Sequence, residues 1–164
     1  GGGSAAAAAG AMAAGLAHMV AAMSRGKKAY LQHESELSTA IARLALLREE
    51  LKAAVDGDAE SYNAVMKAYK QAREAADGDA IIEAALKQAT SVPLGVAERA
   101  REVGRLAEKL GPISNPNMKS DLTTAVALAR AAVEGALANV EINLASMKDA
   151  EFVREMRERA AVLK

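Results

Sequence analysis

The chain has 164 residues, 51% of them apolar and only 2% aromatic, with 21 basic residues set against 21 acidic ones. That length fits one domain, and charge balance with four scattered aromatics (Tyr30, Tyr62, Tyr69, Phe152) leaves neither a field for polyanions nor a base-stacking platform, so no nucleic-acid partner is expected. With no cysteine there is no disulfide frame and no thiol nucleophile, which suits a reducing, cytoplasmic setting.

Alanine-rich composition favours helix over strand, and the apolar spacing is helical from the start. Ala5 to Met23 is uncharged and long enough to span a bilayer. It holds Gly10, Gly15 and His18, however, has few strongly apolar residues and lacks a basic n-region. It reads as a tightly packed helix with no membrane partner. Ser4 is its expected N-cap and Arg25-Gly26 its end. Met12, Leu16, Met19 and Met23 step by about one helical turn and form its predicted apolar face. Small residues elsewhere let neighbouring backbones approach, which places this helix at the centre of a bundle.

From Glu34, a second helix carries Leu37, Ile41, Leu44, Leu51 and Val55. Asp56-Gly57-Asp58 is read as a break, with Asp58 capping a helix that carries Tyr62, Val65, Met66 and Tyr69. Asp77-Gly78-Asp79 repeats the device before Ile82 and Leu86, and Pro93 suits the first turn of a further helix ending at Gly111-Pro112. After the turn Asn115-Pro116-Asn117, Ser120 is the expected cap of a long helix from Leu122 to Leu144. A last helix starts near Asp149. Short connections favour antiparallel neighbours, so the expected fold is an all-α, up-and-down bundle of about six helices, dimerising.

Several site patterns fail. His18 and His33 cannot share a helical pair and no Glu-x-x-His occurs, which removes a di-iron site, and no metal ligand set is expected. Asp56-Gly57-Asp58 has Ser61 where a calcium loop needs glycine. Gly1-Gly2-Gly3-Ser4 lacks the Lys-Ser/Thr of a nucleotide loop. On the residues alone it is a flexible start to the helix, although glycines and free helical N–H groups also allow a ligand to approach. Lys27-Lys28 is either a solvated helix end or a carboxylate-binding pair. Gly135, Asn139 and Asn143 form a polar stripe that needs an inter-helical partner or a ligand. Ser120-Asp121 is either a helix start or a proton-exchanging site.

Six segments together resemble the cyclodeaminase/cyclohydrolase family of folate enzymes. They are Gly1-Gly2-Gly3-Ser4 with its alanine run, Gly26-Lys27-Lys28-Ala29-Tyr30, Val55-Asp56-Gly57-Asp58-Ala59-Glu60-Ser61-Tyr62, Ala89-Thr90-Ser91-Val92-Pro93-Leu94, Asn115-Pro116-Asn117-Met118-Lys119-Ser120-Asp121, and Gly135-Ala136-Leu137-Ala138-Asn139-Val140 running on to Asn143-Leu144. The resemblance covers nearly the whole chain in family order. It implies one cyclodeaminase/cyclohydrolase-like helical domain over residues 1–164, short of a helix and a Thr-Pro that relatives carry before the glycines. The usual Leu-Pro-Lys segment is replaced here by Lys70-Gln71-Ala72-Arg73.

What the resemblance implies is closure of 5-formimidoyltetrahydrofolate to 5,10-methenyltetrahydrofolate with release of ammonia, by acid/base catalysis without cofactor. The alternatives are hydrolysis of the methenyl form to 10-formyltetrahydrofolate, and a non-catalytic dimerisation or scaffold module. Asp121 is the leading acid/base candidate, with Asp58 and Asp56 as alternatives. Gly2, Gly3 and Ser4 would border the pterin, Lys27 and Lys28 would attract the glutamate tail of a folate, polyglutamylated or not, and Asn139 and Asn143 would bond pterin or a partner helix. The expected protein partners are a second copy, as homodimer or larger oligomer, and a formimidoyltransferase, fused or separate. Convergence of Asp121, Lys27 and Ser4 on one cleft is what the enzyme reading requires.

Overall fold

A computed structural model describes residues 1–164 and contains five α-helices and no strand. These are α1 (Gly2–Ser24), α2 (Glu34–Ala72), α3 (Gly78–Leu110), α4 (Lys119–Leu144) and α5 (Ala150–Ala161), with 3₁₀ segments at Lys28–His33, Gly111–Ile113 and Pro116–Met118. As its small residues require, α1 is central and packs against α2, α3 and α4. Its inward face is Gly3, Ala6, Ala7, Gly10, Ala13, Ala14, Ala17, Val20, Ala21 and Ser24. The volume they leave is filled by leucines of α2 (Leu37, Leu44, Leu47 and Leu51), all fully buried. The helix runs antiparallel to two neighbours: Gly3 lies by Asp58 and Gly10 by Leu51 of α2, while Gly2 lies by Asn139 and Ala6 by Gly135 of α4.

The predicted methionine stripe is the outward face of α1. Met12 and Met23 are 56% and 55% exposed, while the face between α1 and its neighbours takes small side chains, mostly alanine and glycine with Val20 and Ser24 near its end. By length and composition α1 could cross a membrane, and half of it is buried inside the bundle.

Four predicted helix starts are corrected. Ser4 is inside the first turn of α1, whose N-cap is Gly1. Asp56-Gly57-Asp58 lies within the unbroken α2, since the Asp58 carboxylate is spent on α1 instead of on its own backbone. Ser120 is already helical, because the turn Pro116–Met118 leads straight into α4; Asn115 caps that turn by accepting from the Asn117 N–H at 3.0 Å. Pro93 likewise sits inside α3 rather than at a helix start. Each of the continuities at Asp56–Asp58 and at Pro93 joins two helices that were expected separately, and the bundle has five α-helices where about six were expected. The predicted end of α1 holds: Gly26 takes φ +74°, a conformation glycine adopts without strain.

α5 forms where expected. The Asp149 carboxylate caps it by accepting from Glu151 and Phe152 N–H groups at 3.1 and 3.0 Å, and it accepts from Lys87 Nζ of α3 at 2.6 Å. The Lys87 ammonium, with those two N–H groups, holds the Asp149 carboxyl below the ordinary carboxylate range. Arg157–Glu141 and Arg159–Glu98 fasten the same helix to α4 and α3.

Candidate functional site

The glycine start of α1 is held by α2. The Ser4 N–H donates to Asp58 Oδ2 at 2.8 Å, and the Ser4 hydroxyl lies 2.9 Å from the same oxygen and 3.1 Å from the Val55 carbonyl. A carboxylate is favourable there because it faces unpaired N–H groups at the positive end of a 23-residue helix. Gly3 makes the approach geometrically possible, since a Cβ on it would lie 2.6 Å from Asp58 Cγ. Asp56, two positions earlier on α2, is turned away from this contact and exposed.

Beside this contact opens a cleft of about 580 Å³, within the usual range of small-molecule sites. Gly1, Gly2 and Asp58 form one side, Asn139 and Asn143 of α4 another, and Tyr62, Met66 and Tyr69 of α2 a third. Tyr62, Met66 and Tyr69 are 64%, 44% and 42% exposed. Past Val55, α2 buries only Ser61 and Ala68, so it stands as a wall over the cleft. Two of the four aromatics in the chain thus line one opening, a concentration that linear spacing did not reveal.

The asparagine stripe has a structural half and an open half. Pro93 has no N–H to give the carbonyl four residues earlier, which would strand the buried Ala89 oxygen. Asn143 Nδ2 donates to it at 2.9 Å. Asn139 Nδ2 donates to the Gly135 carbonyl at 2.8 Å, and its amide lies against Gly2. We expect Asn143→Leu to cost about 1–3 kcal/mol, the penalty of an orphaned buried carbonyl. In a Pro93→Ala background the loss should be much smaller, because residue 93 then supplies the N–H. A urea-denaturation double-mutant cycle reads the difference; equal losses in both backgrounds would remove this role from Asn143.

Lys27, Lys28 and Asp121 do not join the cleft. They lie at the opposite end of the bundle, beyond a helix about 34 Å long at 1.5 Å per residue. There the buried Ser24 hydroxyl accepts from the Asn115 N–H at 3.0 Å and donates to the Val20 carbonyl at 2.8 Å, tying the Asn115-Pro116-Asn117 turn to the end of α1. Lys27 and Lys28 are exposed and Asp121 is half-buried in the first turn of α4. Of the expected residues, Gly2, Gly3, Ser4, Asp58, Asn139 and Asn143 lie together, whereas the expected convergence of Asp121, Lys27 and Ser4 is not found within the chain, and Asp121, the leading candidate, gives way to Asp58 in this cleft.

Residues 1–162 match the formiminotransferase-cyclodeaminase family. A methenyltetrahydrofolate cyclohydrolase of Methylorubrum extorquens is 39% identical over 159 residues, covering 94% of this chain and 76% of that protein. The formimidoyltransferase-cyclodeaminase of Sus scrofa is 32% identical over 167 residues, covering 99% of this chain but 31% of that protein. A crystal structure of formiminotetrahydrofolate cyclodeaminase from Thermotoga maritima superposes with a TM-score of 0.92 at 34% identity, over 99% of this chain and 79% of its own.

Proposed function

The chain belongs to the formiminotransferase-cyclodeaminase family, and from that premise we propose that it closes 5-formimidoyltetrahydrofolate to 5,10-methenyltetrahydrofolate, releasing ammonia. The observation that carries this reading is the Asp58 carboxylate at the mouth of an apolar, tyrosine-walled cleft, held in place by Ser4. In the reaction N10 of the substrate attacks the formimidoyl carbon on N5, giving a tetrahedral carbon. N10 loses a proton and the departing nitrogen gains protons before the carbon–nitrogen bond breaks. Asp58 is the group within one chain that lines the cleft and can carry those protons. Tyr62 and Tyr69 offer faces to the pterin, and Asn139 offers an amide.

Cyclohydrolysis is the second reading, favoured by the 39% identity to the Methylorubrum cyclohydrolase. It uses the same proton carrier with water as the attacking or departing group. We further propose that residues 1–164 form a single domain working in the cytoplasm as a homodimer, without a cofactor beyond its folate substrate. A formimidoyltransferase, fused as in the Sus scrofa relative or separate, is the proposed source of substrate.

The test is to mix the purified protein with 5-formimidoyltetrahydrofolate and follow methenyl absorbance and ammonia, with hydrolysis of the methenyl form in parallel. Rapid methenyl formation with ammonia is the expected result. Accelerated hydrolysis alone would move the assignment to cyclohydrolase, and silence in both from folded protein would leave a non-catalytic scaffold.

A further inference from the structure

Two amides in the Asp58 cleft are locked against flipping. Asn139 Nδ2 donates to the Gly135 carbonyl at 2.8 Å, and Asn143 Nδ2 to the Ala89 carbonyl at 2.9 Å. Only the nitrogen of an amide can donate to a carbonyl, and a flip would set Oδ1 against a carbonyl oxygen. The orientation of each side chain is therefore fixed by the backbone, and what each leaves open is its oxygen. Both residues line the cleft, and neither Oδ1 is a buried atom lacking a partner. A ligand entering beside α4 meets acceptors that cannot turn into donors.

Of the two, Asn139 stands nearer the proton carrier. Gly3 touches Asp58 and Gly2 touches Asn139, so neighbouring residues of α1 separate the two groups. Gly2 also makes room for the amide, since a Cβ there would lie 2.9 Å from Asn139 Nδ2. In a pterin, N5 and N8 occupy opposite corners of one six-membered ring. A ring resting on the tyrosine wall with N5 toward Asp58 turns N8 toward Asn139.

We propose that Asn139 is a specificity-determining residue that selects reduced folates, its Oδ1 accepting from the N8–H of the pterin ring. This rests on the reading of the Asp58 cleft as the active site. Reduction across C7 and N8 places a hydrogen on N8, whereas in fully oxidised folic acid N8 carries a lone pair. Against a locked oxygen that lone pair meets acceptor to acceptor, and both groups go unpaired. A serine hydroxyl in the same place would turn to donate and would accept either ring. Both 5-formimidoyltetrahydrofolate and 5,10-methenyltetrahydrofolate carry N8–H, so the same selection serves ring closure and hydrolysis alike.

Calorimetric titration of the protein with three probes reads this without turnover. 5-Formyltetrahydrofolate reports whether the cleft takes a folate. 7,8-Dihydrofolate and folic acid differ only in the hydrogens at C7 and N8, so the ratio of their affinities isolates the N8–H. Wild type should bind 7,8-dihydrofolate about 10- to 100-fold more tightly than folic acid, the factor for leaving one acceptor unpaired in a built site. Asn139→Leu removes the acceptor while leaving a strong helix former in α4, and should bring the ratio within about threefold. Asn139→Asp keeps an oxygen acceptor at the position and should hold the ratio near that of wild type. Equal wild-type affinities, a ratio that survives Asn139→Leu, or a ratio lost in Asn139→Asp as in Asn139→Leu overturns the assignment. In each of those cases wild-type binding of 5-formyltetrahydrofolate leaves the folate reading of the cleft standing. A folded wild-type protein that binds none of the three probes sinks that reading and this one together.

Discussion

Replacing Asp58 by asparagine should lower turnover about 10²–10⁴-fold, the usual contribution of a placed proton carrier, and move the melting temperature by only a few degrees. The two effects separate because the side chain has two jobs. As an acceptor it fixes the start of α1, taking the Ser4 N–H at 2.8 Å, and an amide oxygen of the same size and reach still accepts that bond. As a proton carrier it has no substitute on the cleft side, since Asp56 is turned away on α2 and Asp121 lies at the far end of α1. Turnover and thermal unfolding measured on one preparation make the comparison. A variant with full turnover would reduce Asp58 to a structural cap, and one that fails to fold would show that α1 needs the charge itself.

The helices were legible because their apolar residues recur with helical spacing, but their ends were not. Asp56-Gly57-Asp58 and Pro93 are helix-breaking signals by local chemistry, yet both are embedded in long helices. In each case the compensation comes from some fifty residues away: Ser4 takes up Asp58, and Asn143 takes up the Ala89 carbonyl that Pro93 strands. No local rule sees such a partner. The orientation of α1 was also hidden. Both its faces are uncharged, so periodicity identifies a methionine stripe but does not say which side the bundle takes. Size decides it, and alanine and glycine go inside. At the site, the glycines, Asp58 and the asparagines that the resemblance singled out lie together, whereas Tyr62 and Tyr69, scattered along the sequence, gave no sign that they form one cleft wall.

Gly3→Ala tests the closest contact in that arrangement, and its expected sign is opposite to the ordinary one. Within a helix, alanine in place of glycine usually stabilises by about 0.5–1 kcal/mol. At Gly3 the added methyl would lie 2.6 Å from Asp58 Cγ and 2.9 Å from Oδ2, well inside van der Waals contact. Something must shift. Asp58 is rooted on α2 just beyond the fully buried Leu51, so the carboxylate would have to swing and surrender its bonds to Ser4. Overpacking of this kind costs about 1–3 kcal/mol, and a displaced carboxylate should take turnover down toward the level of Asp58→Asn. Gly15 is the internal control on the same helix: a Cβ there comes no nearer than 3.9 Å to Arg48 Cδ, so Gly15→Ala should be neutral or stabilising by up to about 1 kcal/mol. Urea denaturation of the two variants beside wild type reads the signs. If Gly3→Ala matches Gly15→Ala in stability and keeps its turnover, the close approach of Asp58 to the glycine turn is not what organises the cleft.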